Sequence, residues 1–588
     1  MTKLIINNIS TIEVKIGNIA IGAGNPIRLQ SMTNIATYDI EGSVLQAKKI
    51  FDAGADFVRI STPKNVDVEN LQKIKTILHK DGYTKPLIAD VHFNPNIAES
   101  AAKIVEKVRI NPGNYIDKRA SFKKLEFSDF EYREELEKMH NRLLPLIKIC
   151  KEYGTAIRIG SNHGSLSDRI LTRYGNTVEG MVEAAMEFID IFISENFYNL
   201  VISMKASDTR IMTQSCRLLN EKMIEKGYVF PQHLGVTEAG ADTDGRLKSA
   251  IGIGTLLNDG IGDTVRVSLT ENPENEIYFA KKLLAQINRN TSSEIISAQE
   301  KISFNTLKFK HVFNQQYFII SEKENADIIY FNEKTHLDKQ KKYLTEYRNW
   351  KNGFINNNNI FPLLNISDIE NIKIDKNINY FLCLSIDDIS SAKVLQVLEL
   401  ENIYPILTLS NNFPLCELRS FYAQTQHINK SGLVIKHKLK SIDYNSIIAE
   451  IGVLGGSCLV NGLATGIWFT AADNNTNIDL SQIEFDLLQA AGLRISKAEF
   501  ISCPGCGRTN YNLEKLTQEV KKEFSHLKGL KIAVMGCVVN GPGEMADADY
   551  GCVGAGKNMV HIYKGKTPVI KNVPQDEAVE KLRTVING

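Results

Sequence analysis

From about residue 25 to 285, short β-branched apolar runs alternate with stretches of helical periodicity. Eight runs read as strands: PIRLQS, DFVRIS, PLIADVH, KVRINPG, TAIRIGS, NLVISMK, QHLGVTE and DTVRVSL. Helical segments such as GSVLQAKKIFDAG and NIAESAAKIVEK lie between most of them, the rhythm of βα units. Eight such repeats in about 260 residues match the size of a (β/α)8 barrel. A doubly wound sheet is the alternative, but no GxGxxG follows the first strand.

The pattern changes after residue 285. Residues 286–485 are rich in Asn, Ile and Lys, and NNNN at 356–359 reads as a loop. Within them AEIGVLGGSCLVNGLATGIWFT (449–470) echoes SAIGIGTLLNDGIGDTVRVSL (249–269). Ile251-Gly252 aligns with Ile451-Gly452, and Trp468 stands opposite Arg266. The middle segment is therefore expected to be an α/β insert, a diverged copy of the barrel, complete or incomplete, that has lost its cation and serves as a structural spacer. Beyond about 486, AEFISC and LKIAVMG read as strands flanking the helical NLEKLTQEVKKEF, a small α+β domain. The expected division is 1–285, 286–485 and 486–588.

The barrel strands carry a second signal. Arg59, Arg109, Arg158, Lys205 and Arg266 each sit inside or at the end of an apolar run, and most have a small polar residue two positions on. Residues i and i+2 share a face of a strand, so these cations point one way, toward the C-terminal strand ends where barrel active sites form. Burying unpaired cations costs several kcal/mol each, so the pattern implies an anionic ligand. Guanidinium forks suit phosphate, and one or two phosphate groups are the natural expectation. The bland reading is that each cation pairs with a nearby acid. Asp90 and His92 in IADVHFNP share a strand face and can orient substrate or move protons. Glu238 in GVTEAG ends the seventh strand and is the best general acid or base, or else the partner of an arginine.

Chemistry of another kind lies near the C-terminus. Cys503 and Cys506 in CPGCGR are joined by Cys537 in MGCVVNGPGE, and Glu544 is placed to complete a four-ligand set. An iron–sulfur cluster with three thiolates can offer an iron to substrate. The rival is a structural zinc with Cys552 as fourth thiolate. Cys150, Cys216, Cys383, Cys416 and Cys458 lie in apolar or helical contexts and read as inert thiols.

Composition narrows the setting. A net charge of +1 over 588 residues argues against bulk electrostatic binding of nucleic acid or membrane, so any cationic site must be local. Nine unevenly spread cysteines do not form a secreted disulfide framework. MTKLIINNISTIEVKIG has no signal-peptide core or transit-like segment, and no apolar run is long enough to span a bilayer. A cytoplasmic protein is expected.

Together CPGCGR, GCVVNGPGE, VRINPGN, RIGSNHGS, GVTEAG and DGIGDTVRVSL resemble the 4-hydroxy-3-methylbut-2-enyl diphosphate synthase family. The match covers roughly 1–285 and 486–588, and the middle segment is similar to the extra domain of that family's long form. The resemblance implies reductive ring opening and dehydration of 2-C-methyl-D-erythritol 2,4-cyclodiphosphate, with two electrons passing from ferredoxin or flavodoxin through a 4Fe–4S cluster. It implies Cys503, Cys506, Cys537 and Glu544 as cluster ligands. Substrate contacts are implied at Arg59, Arg109, Arg158, Asn162, Lys205, Arg266 and Ser268, with Asp90, His92 and Glu238 near the reacting carbons. The chain is expected to be a monomer or homodimer, with the cluster domain closing on a barrel mouth. Two other classes stay open on the residues alone: a zinc-stabilised phosphate-binding module, and an iron–sulfur dehydratase needing no reductant.

Overall fold

Eight parallel strands form the first barrel in a computed structural model of the chain. They are numbered after a short N-terminal hairpin, β1 (Val14–Ile16) and β2 (Ile19–Ile21). The structure describes residues 10–117, 127–287, 317–332, 337–355, 357–412, 414–425, 427–428, 432–473, 478–538, 541, 545 and 548–588. The barrel strands are β3 (Arg28–Met32), β4 (Phe57–Ser61), β5 (Leu87–Asp90), β6 (Lys107–Ile110), β7 (Ala156–Asn162), β8 (Leu200–Lys205), β9 (His233–Leu234) and β10 (Thr264–Val265). Each falls within one of the eight apolar runs, allowing for a residue at the ends. The sheet runs β8-β7-β6-β5-β4-β3-β10-β9, and a parallel bridge from Ile202 to Gln232 joins its two edges. The doubly wound alternative is thereby excluded.

Hairpin β1–β2 was not visible as a pattern, since each strand has three residues. Val14, Ile16 and Ile21 pack against Phe57, Ile88, Ala156 and Val201 and so plug the N-terminal end of the barrel. One end is thus dry and closed, and polar chemistry is confined to the other.

The middle segment is a second barrel. It is a closed one, with strands β11 (Phe318–Ser321), β12 (Ile328–Tyr330), β13 (Lys342–Glu346), β14 (Ile360–Leu364), β15 (Tyr380–Leu384), β16 (Ile403–Leu409), β17 (Val434–Lys438) and β18 (Gly466–Thr470). The echoed segments occupy equivalent places. Helix Asp242–Asn258 leads into β10, and helix Tyr444–Val460 leads into β18, the last helix–strand step of each barrel. The interiors differ. Here Phe318, Leu344, Phe361, Phe381, Tyr404 and Trp468 fill the middle, so the space that holds cations in the first barrel holds aromatic rings.

The C-terminal segment is a five-stranded sheet, β19 (Glu499–Ser502), β20 (Lys531–Met535), β21 (Tyr550–Gly556), β22 (Met559–Lys564) and β23 (Thr567–Pro574). The first three strands are parallel and the last three antiparallel. Leu516 and Val520 of helix Leu513–Phe524 and Leu582 of helix Ala578–Asn587 pack on Val534 and Ile562 of the sheet. Ile6–Leu284 and Ile495–Gly588 form one compact unit, and Ala285–Arg494 form another. Among the described residues no helix is long and apolar enough to cross a membrane.

Candidate functional site

The C-terminal sheet of the chain meets the open end of its own first barrel. Ser502 of β19 forms a parallel bridge with Ala239, just beyond β9. Thr270 Oγ1 lies 2.7 Å from Ser502 Oγ and donates to the carbonyl of Cys503 at 3.0 Å. A charged seam lies alongside: Lys248 with Glu499 at 2.9 Å, Lys497 with Asp244 at 2.7 Å and Lys521 with Asp242 at 3.3 Å. This docking sets the cysteine loop over the barrel mouth and leaves a partly open pocket between them.

Most of the residues singled out from the sequence line that cavity: Arg59, Asp90, His92, Arg109, Asn162, Lys205, Glu238, Arg266 and Ser268 from the barrel, and Cys503, Cys506 and Cys537 from the C-terminal domain. Arg158 does not line it. It is buried on β7, in register with Arg109 of β6 and Val201 of β8, and among the described residues its Nε and Nη1 have no hydrogen-bond partner. Glu544 lies outside the described residues.

Two glycines make the crowding of cations feasible. A Cβ at Gly160 would meet Arg109 Nε at 2.5 Å, and one at Gly235 would meet Lys205 Nζ at 2.8 Å. Both long side chains therefore cross space that only a glycine leaves open.

The bland reading of the cations holds for some of them. Arg266 is paired with Glu276, Nε to Oε2 and Nη2 to Oε1 both at 3.0 Å. Arg109 reaches Asp90 Oδ1 at 3.3 Å and the Gly160 carbonyl at 3.0 Å. The rest are under-compensated. Burial, then repulsion from Arg158, Arg59 and other neighbours, pushes Lys205 well below the usual lysine range. Burial likewise brings Arg59 down to about 9 despite Asp90. Lys107, which the sequence reading passed over, is fully buried with Nζ 4.7 Å from the Phe57 ring centroid, and burial with Arg158 depresses it too. Arg59, Lys107, Arg109, Arg158, Lys205, Arg266 and Arg508 face Asp90, Glu238 and Glu276. The surplus is positive, the electrostatics of a site awaiting an anion.

The acid–base groups are differentiated. Burial opposes charge on Asp90, but Arg59, His92 and Arg109 outweigh it and hold the carboxyl well below its ordinary value. Burial and Arg109 push His92 down to about 3, so the ring is neutral, and its Nε2 accepts from Arg109 Nη1 at 2.5 Å. Glu238 sits at φ +48°, a left-handed backbone that a side-chain-bearing residue rarely adopts. Strain of this kind persists where the surrounding structure enforces a position.

The three thiols occupy one wall. The amide of Gly536 donates to Cys503 Sγ at 3.1 Å. A hydrogen bond from Cys537, followed by the Arg508 charge, holds Cys506 well below the usual thiol range. Cys552 does not line the pocket; it is buried in the apolar core with Leu516, Val534 and Ile562, a core against which Cys503 also packs. Among the described residues no three histidine, cysteine or acidic side chains gather around a single ion. Three soft donors beside a buried guanidinium fit an iron–sulfur group. The sequence reading also missed Arg508, although it stands in CPGCGR. A cation two residues from a ligand cysteine was the available signal.

Two family domains match the chain: GcpE TIM-barrel domain over residues 11–281, and GcpE protein C-terminal domain over residues 499–588. A 4-hydroxy-3-methylbut-2-en-1-yl diphosphate synthase (flavodoxin) of Phocaeicola vulgatus is 43% identical, covering 98% of this chain and 97% of that protein. The chain belongs to the 4-hydroxy-3-methylbut-2-en-1-yl diphosphate synthase family. A synthase of the same name from Leptospira interrogans is 38% identical over 98% of this chain and 96% of its own. As a member of the synthase family, the chain is an iron–sulfur oxidoreductase. It converts 2-C-methyl-D-erythritol 2,4-cyclodiphosphate to 4-hydroxy-3-methylbut-2-enyl diphosphate in the non-mevalonate route to isoprenoid precursors. Both matched domains stop short of the middle barrel, yet these synthases align with nearly the whole chain, the middle segment included.

Proposed function

We propose that the cavity between the first barrel and the C-terminal sheet is the synthase active site, with a 4Fe–4S cluster on the thiol wall and the cyclodiphosphate on the cationic wall. The observation that carries this is that three cysteines and a surplus of cations line one pocket. Cys503, Cys506 and Cys537 hold the cluster, and Glu544 is the fourth ligand. Arg59, Arg109, Lys205, Arg266, Asn162 and Ser268 bind the diphosphate, and Arg158 adds positive potential from beneath. When bound, the cluster supplies the two electrons singly.

The reaction breaks the C2–O bond to the diphosphate and expels the C3 hydroxyl as water, leaving a C2–C3 double bond. Two electrons enter, the departing hydroxyl takes up a proton, and the freed phosphate oxygen gains negative charge. The cations stabilise that charge as it develops, which is where a fixed field is most effective. Glu238 protonates the hydroxyl. Neutral His92 accepts from Arg109 and so keeps that guanidinium aimed, while anionic Asp90 holds the Arg109 and Arg59 pair in the mouth. Closure by the cysteine loop excludes water from the reduced intermediates.

Flavodoxin is the electron donor on this reading, as the names of the similar synthases suggest. Residues 1–285 bind substrate, 286–485 act as a spacer, and 486–588 carry the cluster. The aromatic filling of the middle barrel supports the spacer role. All nine cysteines are unpaired, as a reducing cytoplasm requires.

Anaerobic purification with iron, sulfide and zinc analysis tests the assignment. About four irons and four sulfides per chain are expected, as a 4Fe–4S group requires, with loss of iron in Cys503→Ser and loss of turnover in Glu544→Ala. One tightly held zinc and no colour after reconstitution with iron and sulfide would overturn it. Turnover without a reductant would point instead to dehydratase chemistry.

A further inference from the structure

Arg508 is the one side chain of the cysteine loop that joins both walls of the cavity by charge. Its side chain is 14% exposed, and Nη2 lies 3.5 Å from Asp90 Oδ2, whose own side chain is 2% exposed. The same guanidinium lines one pocket with Cys506 and Cys537, close enough for its charge to act on both thiols. Among the described residues its Nε and Nη1 are buried without partners, in a side chain that lines the same pocket as the three thiols. A planar fork can serve a carboxylate and a sulfur at once, which an ammonium on a flexible stem cannot.

We propose that Arg508 is a positioning residue with two linked effects: it locks the cysteine loop onto the barrel through Asp90, and it raises the reduction potential of the iron–sulfur group held by that loop. The second effect rests on the cluster reading given above. Hydrogen bonds to ligating sulfur, and positive charge beside it, favour the more negative reduced state. The Gly536 amide also donates to a loop sulfur, that of Cys503, but it carries no charge. Arg508 thus ties electron acceptance to closure. Only when the loop sits on Asp90 is the guanidinium fixed against the thiolates, so the cluster is easiest to reduce when the cavity is sealed.

The test uses the full chain with Arg508→Gln and Arg508→Lys. Iron and sulfide content is measured first, because a wild-type chain without a cluster refutes the cluster reading and leaves the docking effect to the second measurement. In loaded protein the midpoint is found by EPR-monitored redox titration. Arg508→Gln is expected to lower the reduced-to-oxidised ratio at fixed potential about tenfold, equivalent to about 59 mV for a one-electron couple. Arg508→Lys, which keeps the charge, is expected to show a smaller drop. An unchanged midpoint in both overturns the tuning effect.

Hydrogen exchange on the metal-free chain is the second measurement. Arg508→Gln is expected to lose protection across 502–509 and at 239, while the sheet amides of β20 and β21 are unaffected. Unchanged protection at 502–509 overturns the docking effect. If Arg508→Gln does not load, Arg508→Lys carries the titration and the metal-free exchange still decides the other half.

Discussion

Arg266 and Glu276 form a two-point ion pair inside the barrel, with side chains only 4% and 2% exposed. Glu276 belongs to helix Pro273–Leu284 and also accepts from Ser31 Oγ at 2.6 Å and the Leu269 amide at 3.3 Å. One carboxylate therefore fixes the last barrel strand, the first strand and a cavity cation together. Removing it leaves a buried guanidinium uncompensated, so Glu276→Ala is expected to cost about 3–5 kcal/mol in urea unfolding. A cost below about 1 kcal/mol would mean that Arg266 finds water instead.

Arg158 poses the opposite case, a buried cation short of partners. Burial and the nearby charges of Arg59 and Arg109 depress it far below the usual arginine range. Arg158→Met should therefore be neutral or stabilising, by up to about 1–4 kcal/mol as for other buried charges replaced by apolar groups. Substrate affinity should fall at least tenfold as the field beneath the diphosphate weakens. Calorimetric binding and a thermal scan on one sample check both signs. Loss of stability and unchanged affinity together would assign Arg158 a purely structural role.

The pairing of i and i+2 residues made the cation wall legible, because side-chain direction in a strand is fixed by the two-residue period. Depth was not legible. Arg109 and Arg158 are partners across β6 and β7, yet one reaches the cavity and the other does not. Asn111, the small polar residue two positions after Arg109, caps the turn at Gly113 and hydrogen-bonds Ser165. Glu276 went unnoticed because a helix chooses its strand partner through tertiary packing, which leaves no periodic mark. The thiol wall was read from spacing alone, but Arg508 was overlooked because attention stayed on the ligand types.

His92 gives the fold a pH dependence. Its folded value of about 3 lies below the ordinary 6.5, so between those values only the unfolded chain binds the proton. Stability from this group is complete above about pH 6.5 and is lost as the pH falls toward 3, by roughly 2–3 kcal/mol at pH 4.5. Asp90, also depressed, adds its loss only below its ordinary 3.8. Urea titrations at pH 7 and 4.5 should show a smaller difference in His92→Gln than in wild type. An equal difference would locate the acid sensitivity elsewhere.

Cysteine loop and barrel mouth come from one chain, held by the Ser502–Ala239 bridge and the lysine–carboxylate seam. Mixing a Lys205→Ala chain with a Cys503→Ser chain should therefore recover no turnover, since each intact cluster faces a defective barrel. Recovery above a few per cent of wild type would show that loops exchange between chains. Reversing the seam with Asp244→Lys should weaken docking, and adding Lys497→Asp should restore it, measured by protection of the 502–509 amides.

Glu238 allows strain and chemistry to be separated. Its φ of +48° costs a side-chain-bearing residue of order 1 kcal/mol or more, and glycine escapes that cost. Glu238→Gly should therefore be more stable than Glu238→Ala by about 1 kcal/mol, although glycine normally loses more entropy on folding. Both should lack turnover. Glu238→Gln keeps the backbone and the shape but cannot deliver a proton, so its turnover should fall about 10²–10⁴-fold with substrate affinity little changed. If Glu238→Gln keeps wild-type turnover, the proton for the departing hydroxyl comes from another group, and the strained backbone serves only to seat the cysteine loop beside Ala239.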